Sequence, residues 1–134
     1  MGRRVDDERG MVTAFVTIFV VALIFVIGLV LDGGYVLAAK RQAANVAAQA
    51  ARAGAQQLDV GRLRSEDVDA LDVVAAEAAA EAFLAKVGKE GEAHATEDEV
   101  TVTVHMERKL LILGIGGLAD VTVHGTGQAR GVQG

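Results

Sequence analysis

One stretch constrains this chain more than any other: the 21 residues from Met11 to Leu31 include no Asp, Glu, Lys, Arg, Asn, Gln or His. A helix needs about 20 apolar residues to cross a hydrocarbon core roughly 30 Å thick. A charge at the centre of such a helix costs roughly 2.5 to 3.5 kcal/mol on insertion scales. The run therefore predicts a single transmembrane helix over residues 11–31.

The residues that flank this run predict its orientation. Three arginines lie among the first ten residues, whereas Asp32 follows the run and the next bases are Lys40 and Arg41. Because cytoplasmic flanks are rich in Lys and Arg, residues 1–10 are expected to be a cytoplasmic tail or leader. Everything after Asp32 is then expected outside a bacterial cell membrane.

A cleaved secretory signal peptide is the competing interpretation of the same run. Such a peptide has an apolar core of about 7 to 15 residues and a small-x-small cleavage site. The run here is longer, and no Ala-x-Ala pattern follows it directly. The sequence therefore favours a retained membrane helix.

The helical pattern continues beyond the apolar run. Residues 35–58 are rich in alanine, the best helix former, and no proline interrupts them. We expect one helix from about Val12 to Leu58, with residues 32–58 as its extension and the membrane boundary at Asp32, Gly33 and Gly34. The two glycines are the weak point, where a bend is expected. The simplest explanation of Asp32 is that an acid prefers water, and a contact with a helix or the backbone is the alternative.

Small residues cover much of this extension and allow close approach of a packing partner. They could pack against another helix or against the chain's own domain, or alanine could merely keep the helix straight. The candidate helix-packing positions are Ala39, Ala43, Ala47, Ala50 and Gly54.

Residues 59–134 are expected to form a small extracytoplasmic αβ domain. A turn is expected over residues 59–64, followed by Ser65 as the N-cap of a second helix that runs from Glu66 to about Val87. Gly88 is a plausible C-cap. Residues 89–97 are predicted to be a polar loop.

The last third of the chain changes to a two-residue period. Residues 99–106 and 120–124 alternate apolar and polar side chains, which predicts two antiparallel strands. The segment between them, Leu110–Leu118, is apolar but too short to span a bilayer. It is either a buried connection or an exposed loop that docks on a partner or a membrane, with Leu111, Ile112 and Leu113 as candidate contacts. The fold class is therefore α+β: long helix, second helix and small antiparallel sheet.

The composition excludes several kinds of chemistry. The chain has no cysteine, so disulfides and thiolate metal sites are impossible. From Asp32 onward 15 acidic residues face 10 basic ones, which argues against nucleic-acid binding. No catalytic motif is present, so no enzyme activity, cofactor or small-molecule substrate is expected. His105 and His124 could be cross-strand neighbours, and a metal-assisted hydrolase built on them is a third-ranked alternative, since two imidazoles make a weak metal site.

Three segments together resemble a known family. They are Asp7–Phe15 (DERGMVTAF), Gly28–Gly34 (GLVLDGG) and Ala51–Ala55 (ARAGA), and the closing residues 119–130 add a looser similarity. This pattern resembles the actinobacterial TadE/TadG-like proteins, pilin-like components of the tight-adherence (Flp) pilus machinery.

The resemblance implies a pilin-like fold and a structural role in a pilus. A prepilin peptidase would cut between Gly10 and Met11, and the apolar helix would pack with other pilin-like subunits, copies of this chain among them. Family members often carry a glutamate at the position of Phe15. The leading hypothesis is therefore a minor pilin or pilus-assembly component. The alternative is an uncleaved membrane anchor that presents the αβ domain to a secretion or pilus apparatus.

Overall fold

The computed structural model describes residues 3–64, 70–110, 114, 117 and 120–131. Within them the chain forms two helices followed by three strands, which confirms the predicted α+β layout. In chain order these elements are α1 (Arg3–Arg64), α2 (Ala70–Lys86), β1 (Glu90–Ala95), β2 (Glu99–Arg108) and β3 (Val121–Arg130).

Helix α1 is longer than the sequence predicts. It has 62 residues, about 93 Å at 1.5 Å per residue, and its helical hydrogen bonding continues through Gly33 and Gly34. The turn predicted over residues 59–64 is wrong, because this segment is the last part of α1. Leu58 is fully buried, and the Asp72 carboxylate of α2 lies against Gly61. These tertiary contacts outweigh the roughly 1 kcal/mol that glycine costs inside a helix.

Helix α2 ends in a Schellman motif. The amide of Lys89 donates to the carbonyl of Leu84 at 3.0 Å, and the amide of Gly88 donates to the carbonyl of Ala85 at 3.1 Å. Gly88 has a φ of 64°, the left-handed conformation that this motif requires. The expected role of Gly88 in ending the helix is thereby confirmed. The predicted start of this helix, with Ser65 as N-cap, lies outside the described residues.

The sheet has three antiparallel strands in the order β1-β2-β3. The polar loop predicted over residues 89–97 is wrong, because residues 90–95 form β1 and pair with residues 100–105 of β2. The segment EGEAHA has low intrinsic strand propensity and only a partial alternation. The segment forms a strand because it pairs with β2 and contacts α2. Neither contact can be recognised from the local sequence.

Both helices pack on one face of the sheet and form the core with it. The opposite face holds Thr, His and Gln side chains that alternate with the buried ones. Because α1 supplies mainly alanines, its axis can lie close to the strands. The fully buried side chains of the core include Ala43, Ala47, Ala50, Ala51, Leu58, Ala76, Ala80, Val100, Val102 and Val104.

The sheet has a definite direction along α1. Gly54 of α1 lies next to Val100 at the start of β2, whereas Arg108 at the end of β2 donates a hydrogen bond to Gln42. Strand β2 therefore runs towards the apolar part of α1, and β3 returns from it. As a result, the β2–β3 connection leaves and rejoins the sheet at the end nearest residues 11–31.

Candidate functional site at the membrane boundary

The apolar part of α1 has almost no contact with the rest of the chain. Met11, Phe15, Ile18 and Val30 are 73%, 69%, 70% and 68% exposed. Within the described residues α1 is the one helix long and apolar enough to cross a membrane. A bilayer would cover these side chains, since water cannot solvate so large an apolar surface without a heavy cost. Such a helix indicates a single-pass membrane protein.

Asp32 marks the position where α1 changes from this exposed segment to the part covered by the domain. Its side chain is only 2% exposed, although the neighbouring Leu31 and Gly33 are exposed. The preference for water that the sequence suggested therefore does not explain this residue. Asp32 instead begins the helix face that continues through Val36 and Ala39 at helical spacing and turns towards the domain.

A cavity of about 440 Å³ opens beside Asp32. One wall is α1, with Asp32, Tyr35, Val36 and Ala39 among its residues, and the other wall is the end of β2 and the residues that follow it. The apolar residues of the lining are Val36, Ala38, Ala39 and Leu110, and its charged residues are Asp32, Glu107, Arg108 and Lys109.

A hydrogen bond between side chains connects the two walls of this cavity. Nη2 of Arg108 donates to Oε1 of Gln42 at 3.1 Å. Sequence reasoning did not identify Glu107, Arg108 or Lys109 as site residues. Their only local signal was a pair of bases at the end of a strand, and the cavity that this pair shares with Asp32 depends on how the sheet packs.

The candidate processing junction, Gly10–Met11, lies within α1. Both residues are exposed, and a Cβ added at Gly10 would meet nothing within 4 Å. The structure thus places the junction at a helix surface without tertiary contacts. Cleavage at this bond stays a prediction.

The small-residue stripe of α1 lies under the chain's own sheet. Ala39, Ala43, Ala47 and Ala50 are at most 1% exposed, and a Cβ at Gly54 would lie 2.7 Å from the carbonyl oxygen of Ala76 in α2. Of the two packing partners considered, the chain's own domain is the one these residues contact here. Packing of the stripe against another copy stays a prediction.

Two glycines of β3 make the closest approach to this stripe. A Cβ at Gly125 would overlap the backbone of Ala43 and Ala44, and one at Gly127 would overlap that of Ala47 and Ala48. Glycine is therefore needed at both positions so that the strand backbone can rest on the helix backbone. These glycines belong to residues 119–130, the closing segment that adds the looser similarity to the family.

The two strand histidines are neighbours, as the sequence suggested. His105 and His124 pair across β2 and β3, and their Nδ1 atoms are 2.7 Å apart. In this hydrogen bond one Nδ1 carries the hydrogen and the other is the acceptor, so the accepting ring carries its own proton on Nε2. In the part of the chain that the structure describes, no group of three or more His, Asp or Glu side chains is arranged to hold a metal ion.

The candidate docking residues Leu111, Ile112 and Leu113 lie outside the described residues. The neighbouring Leu110 is half-buried in the wall of the cavity. Their assignment as a partner contact therefore stays a prediction.

Comparison with known proteins gives one match. No curated protein and no solved structure matches the chain. The family model that does match covers residues 10–57, which is the part of α1 from the candidate junction to the residue before the buried Leu58. This segment of the chain is similar to the Tad family of Flp pilus-assembly TadE/G-like proteins, and the similarity supports a role in Flp pilus assembly.

Proposed function

We propose that this chain is a minor pilin or pseudopilin of a tight-adherence (Flp) pilus system of the actinobacterial type. Residues 11–31 lie in the cell membrane, the N-terminus is cytoplasmic, and the αβ domain is displayed outside. The observation that carries this proposal is the family match over residues 10–57, which begins at the candidate cleavage junction and spans the exposed apolar segment.

The exposed segment is the surface through which such a subunit would pack with others. The alanine stripe is covered by the sheet, so contacts between neighbouring subunits fall to residues 11–31. Phe15 and Phe19 stack with ring centroids 6.3 Å apart on this surface. Apolar contacts between helices, rather than ion pairs, would hold such an assembly together, because this segment contains no charge.

Processing is the sharpest test of the pilin assignment. Mass spectrometry of the chain isolated from its native membrane is expected to show a mature N-terminus at Met11. The Gly10→Val variant is expected to keep residues 1–10, because the peptidase requires the glycine. The added side chain has open space around it, so the variant tests processing and not folding. An intact N-terminus on the unaltered chain would eliminate the pilin assignment.

An uncleaved anchor that presents a docking domain is the second candidate. The burial of the small-residue stripe supports this candidate. A helix that packs along its own domain is compatible with a membrane anchor as well as with a pilus subunit. The docking surface would be the apolar β2–β3 connection. Changing Leu111 and Ile112 to Ser is expected to abolish recovery of a pilus-assembly partner in pull-down, and unchanged recovery would contradict this candidate.

A further inference from the structure

The exposed face of the sheet brings two imidazoles into direct contact. His105 of β2 and His124 of β3 are direct partners in the antiparallel register. Their Nδ1 atoms are 2.7 Å apart, and their ring planes are nearly perpendicular, at 87°. His124 is exposed and His105 is half-buried, so an ion from solution can reach both nitrogens.

The strand register holds these two nitrogens at a spacing that suits one metal ion. Neutral imidazole binds divalent transition metals through nitrogen at about 2.0 to 2.1 Å. Two nitrogens in adjacent positions of a square-planar ion are then about 2.8 to 3.0 Å apart, whereas those of a tetrahedral ion are about 3.3 to 3.4 Å apart. The observed 2.7 Å is closer to the square-planar spacing, which is the geometry that Cu²⁺ and Ni²⁺ prefer.

The charged side chains near the pair do not favour cations in general. A cavity of about 370 Å³ lies beside His105, and its charged lining residues are Lys89, Glu90, Glu107 and Arg108. The charges of these four residues sum to zero, so attraction to net charge does not explain binding of a cation here. Mg²⁺ and Ca²⁺ need several oxygen ligands, whereas an imidazole pair selects ions that bind nitrogen.

We propose that His105 and His124 bind one divalent transition-metal ion, with Cu²⁺ bound most tightly. Each imidazole coordinates the ion through Nδ1 after a small rotation of both rings, and each carries its hydrogen on Nε2. In the neutral pair one ring has its hydrogen on Nδ1, and this hydrogen moves to Nε2 of the same ring by exchange with water, so binding releases no net proton. Water fills the remaining positions of the ion.

The bound ion connects β2 to β3 and stabilises their pairing. Two unconnected imidazoles make a weak site, but these two are already held at the required spacing by the sheet, which lowers the cost of ordering them. This inference goes beyond the proposed function and does not rest on it.

Titration of the full chain in detergent with Cu²⁺ tests the site, with calorimetry and electron paramagnetic resonance as the measurements. One ion per chain is expected, and the resonance spectrum is expected to show hyperfine coupling to two imidazole nitrogens. Ni²⁺ and Zn²⁺ are expected to bind more weakly than Cu²⁺. A copper spectrum without coupling to two imidazole nitrogens would overturn the proposal.

Single substitutions test whether the two rings act as a pair. His105→Thr and His124→Thr are each expected to weaken Cu²⁺ binding by about tenfold or more, because one imidazole cannot chelate the ion. Threonine already lies two residues away on each strand, at Thr103 and Thr126, and it is well suited to strands. A variant of either histidine that binds Cu²⁺ as tightly as the unaltered chain would contradict the paired site.

His94 provides the matched control. It is an exposed residue of β1, and its partner across the strands is Thr101, so no imidazole stands opposite it. His94→Thr removes the same chemical group and is expected to keep the full affinity for Cu²⁺. Equal losses in the His94 and His124 variants would indicate binding to separate imidazoles and would overturn the proposal.

Thermal unfolding gives a second measurement that does not depend on the spectrum. An ion that binds only the folded sheet stabilises it, so Cu²⁺ is expected to raise the Tm of the unaltered chain and of His94→Thr. The double variant His105→Thr/His124→Thr is expected to show no rise. An equal rise in all three proteins would place the ion elsewhere and would overturn the proposal.

Discussion

Single residues determine how closely the sheet of this molecule lies against its long helix. Gly127 of β3 rests directly on the backbone of Ala47 and Ala48, so there is no space for a side chain at that position. Gly34 in α1 has the opposite environment, because a Cβ there would meet nothing within 4 Å. The same substitution at these two glycines should therefore have opposite effects.

We expect Gly127→Ala to destabilise the domain by about 1 to 3 kcal/mol, because the helix backbone has to move away from the strand. Gly34→Ala should be neutral or stabilise by up to about 1 kcal/mol, since alanine is the better helix former. Thermal unfolding of both variants in detergent measures the difference. A Gly127→Ala domain as stable as the unaltered one would contradict the close contact.

The hydrogen bond between His105 and His124 is a second residue-level feature that can be measured. Because both rings lie on the polar face of the sheet, water can replace a missing partner, and each single change to Thr should cost little. A double-mutant cycle is expected to give a coupling of about 0.2 to 1 kcal/mol. ¹⁵N NMR should show one ring protonated at Nδ1 and the other at Nε2. Identical tautomers in the two rings would contradict the 2.7 Å contact.

At the level of elements, β1 depends on its neighbours for its existence. It is an edge strand of polar and small residues, and it pairs with β2 on one side only. Glu77 of α2 accepts a hydrogen bond from the amide of Ala95 at 2.9 Å, at the end of the strand, and lies 3.7 Å from Nδ1 of His94. Helix α2 thereby stabilises a strand whose own sequence does not favour one.

Removing this carboxylate should loosen the end of β1. Glu77→Ala is expected to speed hydrogen exchange at the Ala95 amide and to cost about 1 kcal/mol of stability. Glu81 lies one helical turn further along α2 and is exposed, so Glu81→Ala is the matched control and should leave this amide protected. Equal exchange in the two variants would show that the hydrogen bond is unimportant for β1.

Sequence patterns predicted some of these helices and strands and missed others. The strict alternation of Val100, Val102 and Val104 predicted β2, and the positive φ of Gly88 agrees with its expected place after α2. The last part of α1, the second half of β3 and the whole of β1 were missed, since the last strand was predicted over residues 120–124 only. All three contain residues with weak local preferences, Gly61, Gly91 and Gly125 among them, and all are stabilised by contacts with elements distant in sequence.

At the scale of the whole molecule, the long helix joins two environments. Residues 11–31 are apolar and largely exposed, and the part of α1 after Asp32 forms one wall of a domain core. If α1 spans a membrane and the domain stays on one side of it, residues 1–10 and the αβ domain lie on opposite sides. The topology of the full chain is therefore open to a direct test.

Reporter fusions give that test. Alkaline phosphatase fused after Gly134 is expected to be active, and green fluorescent protein at the same position is expected to be dark, because the domain lies outside the cytoplasm. Fused before Met1, the two reporters should show the reverse pattern. Fluorescence from the fusion after Gly134 would contradict the proposed orientation, which depends on the arginines of the first ten residues.

The amino-acid sequence by itself determined the apolar segment, the helical extension and the alternating strands, because each depends on a local pattern of side chains that a helix or strand period reveals. Only the tertiary structure decided that the alanine stripe faces β3, that Asp32 is buried, and that Arg108 and Lys109 line the same cavity as Asp32. These arrangements join residues about 75 to 85 positions apart in the chain. No local preference encodes such contacts, since they follow from the direction in which the sheet lies along α1.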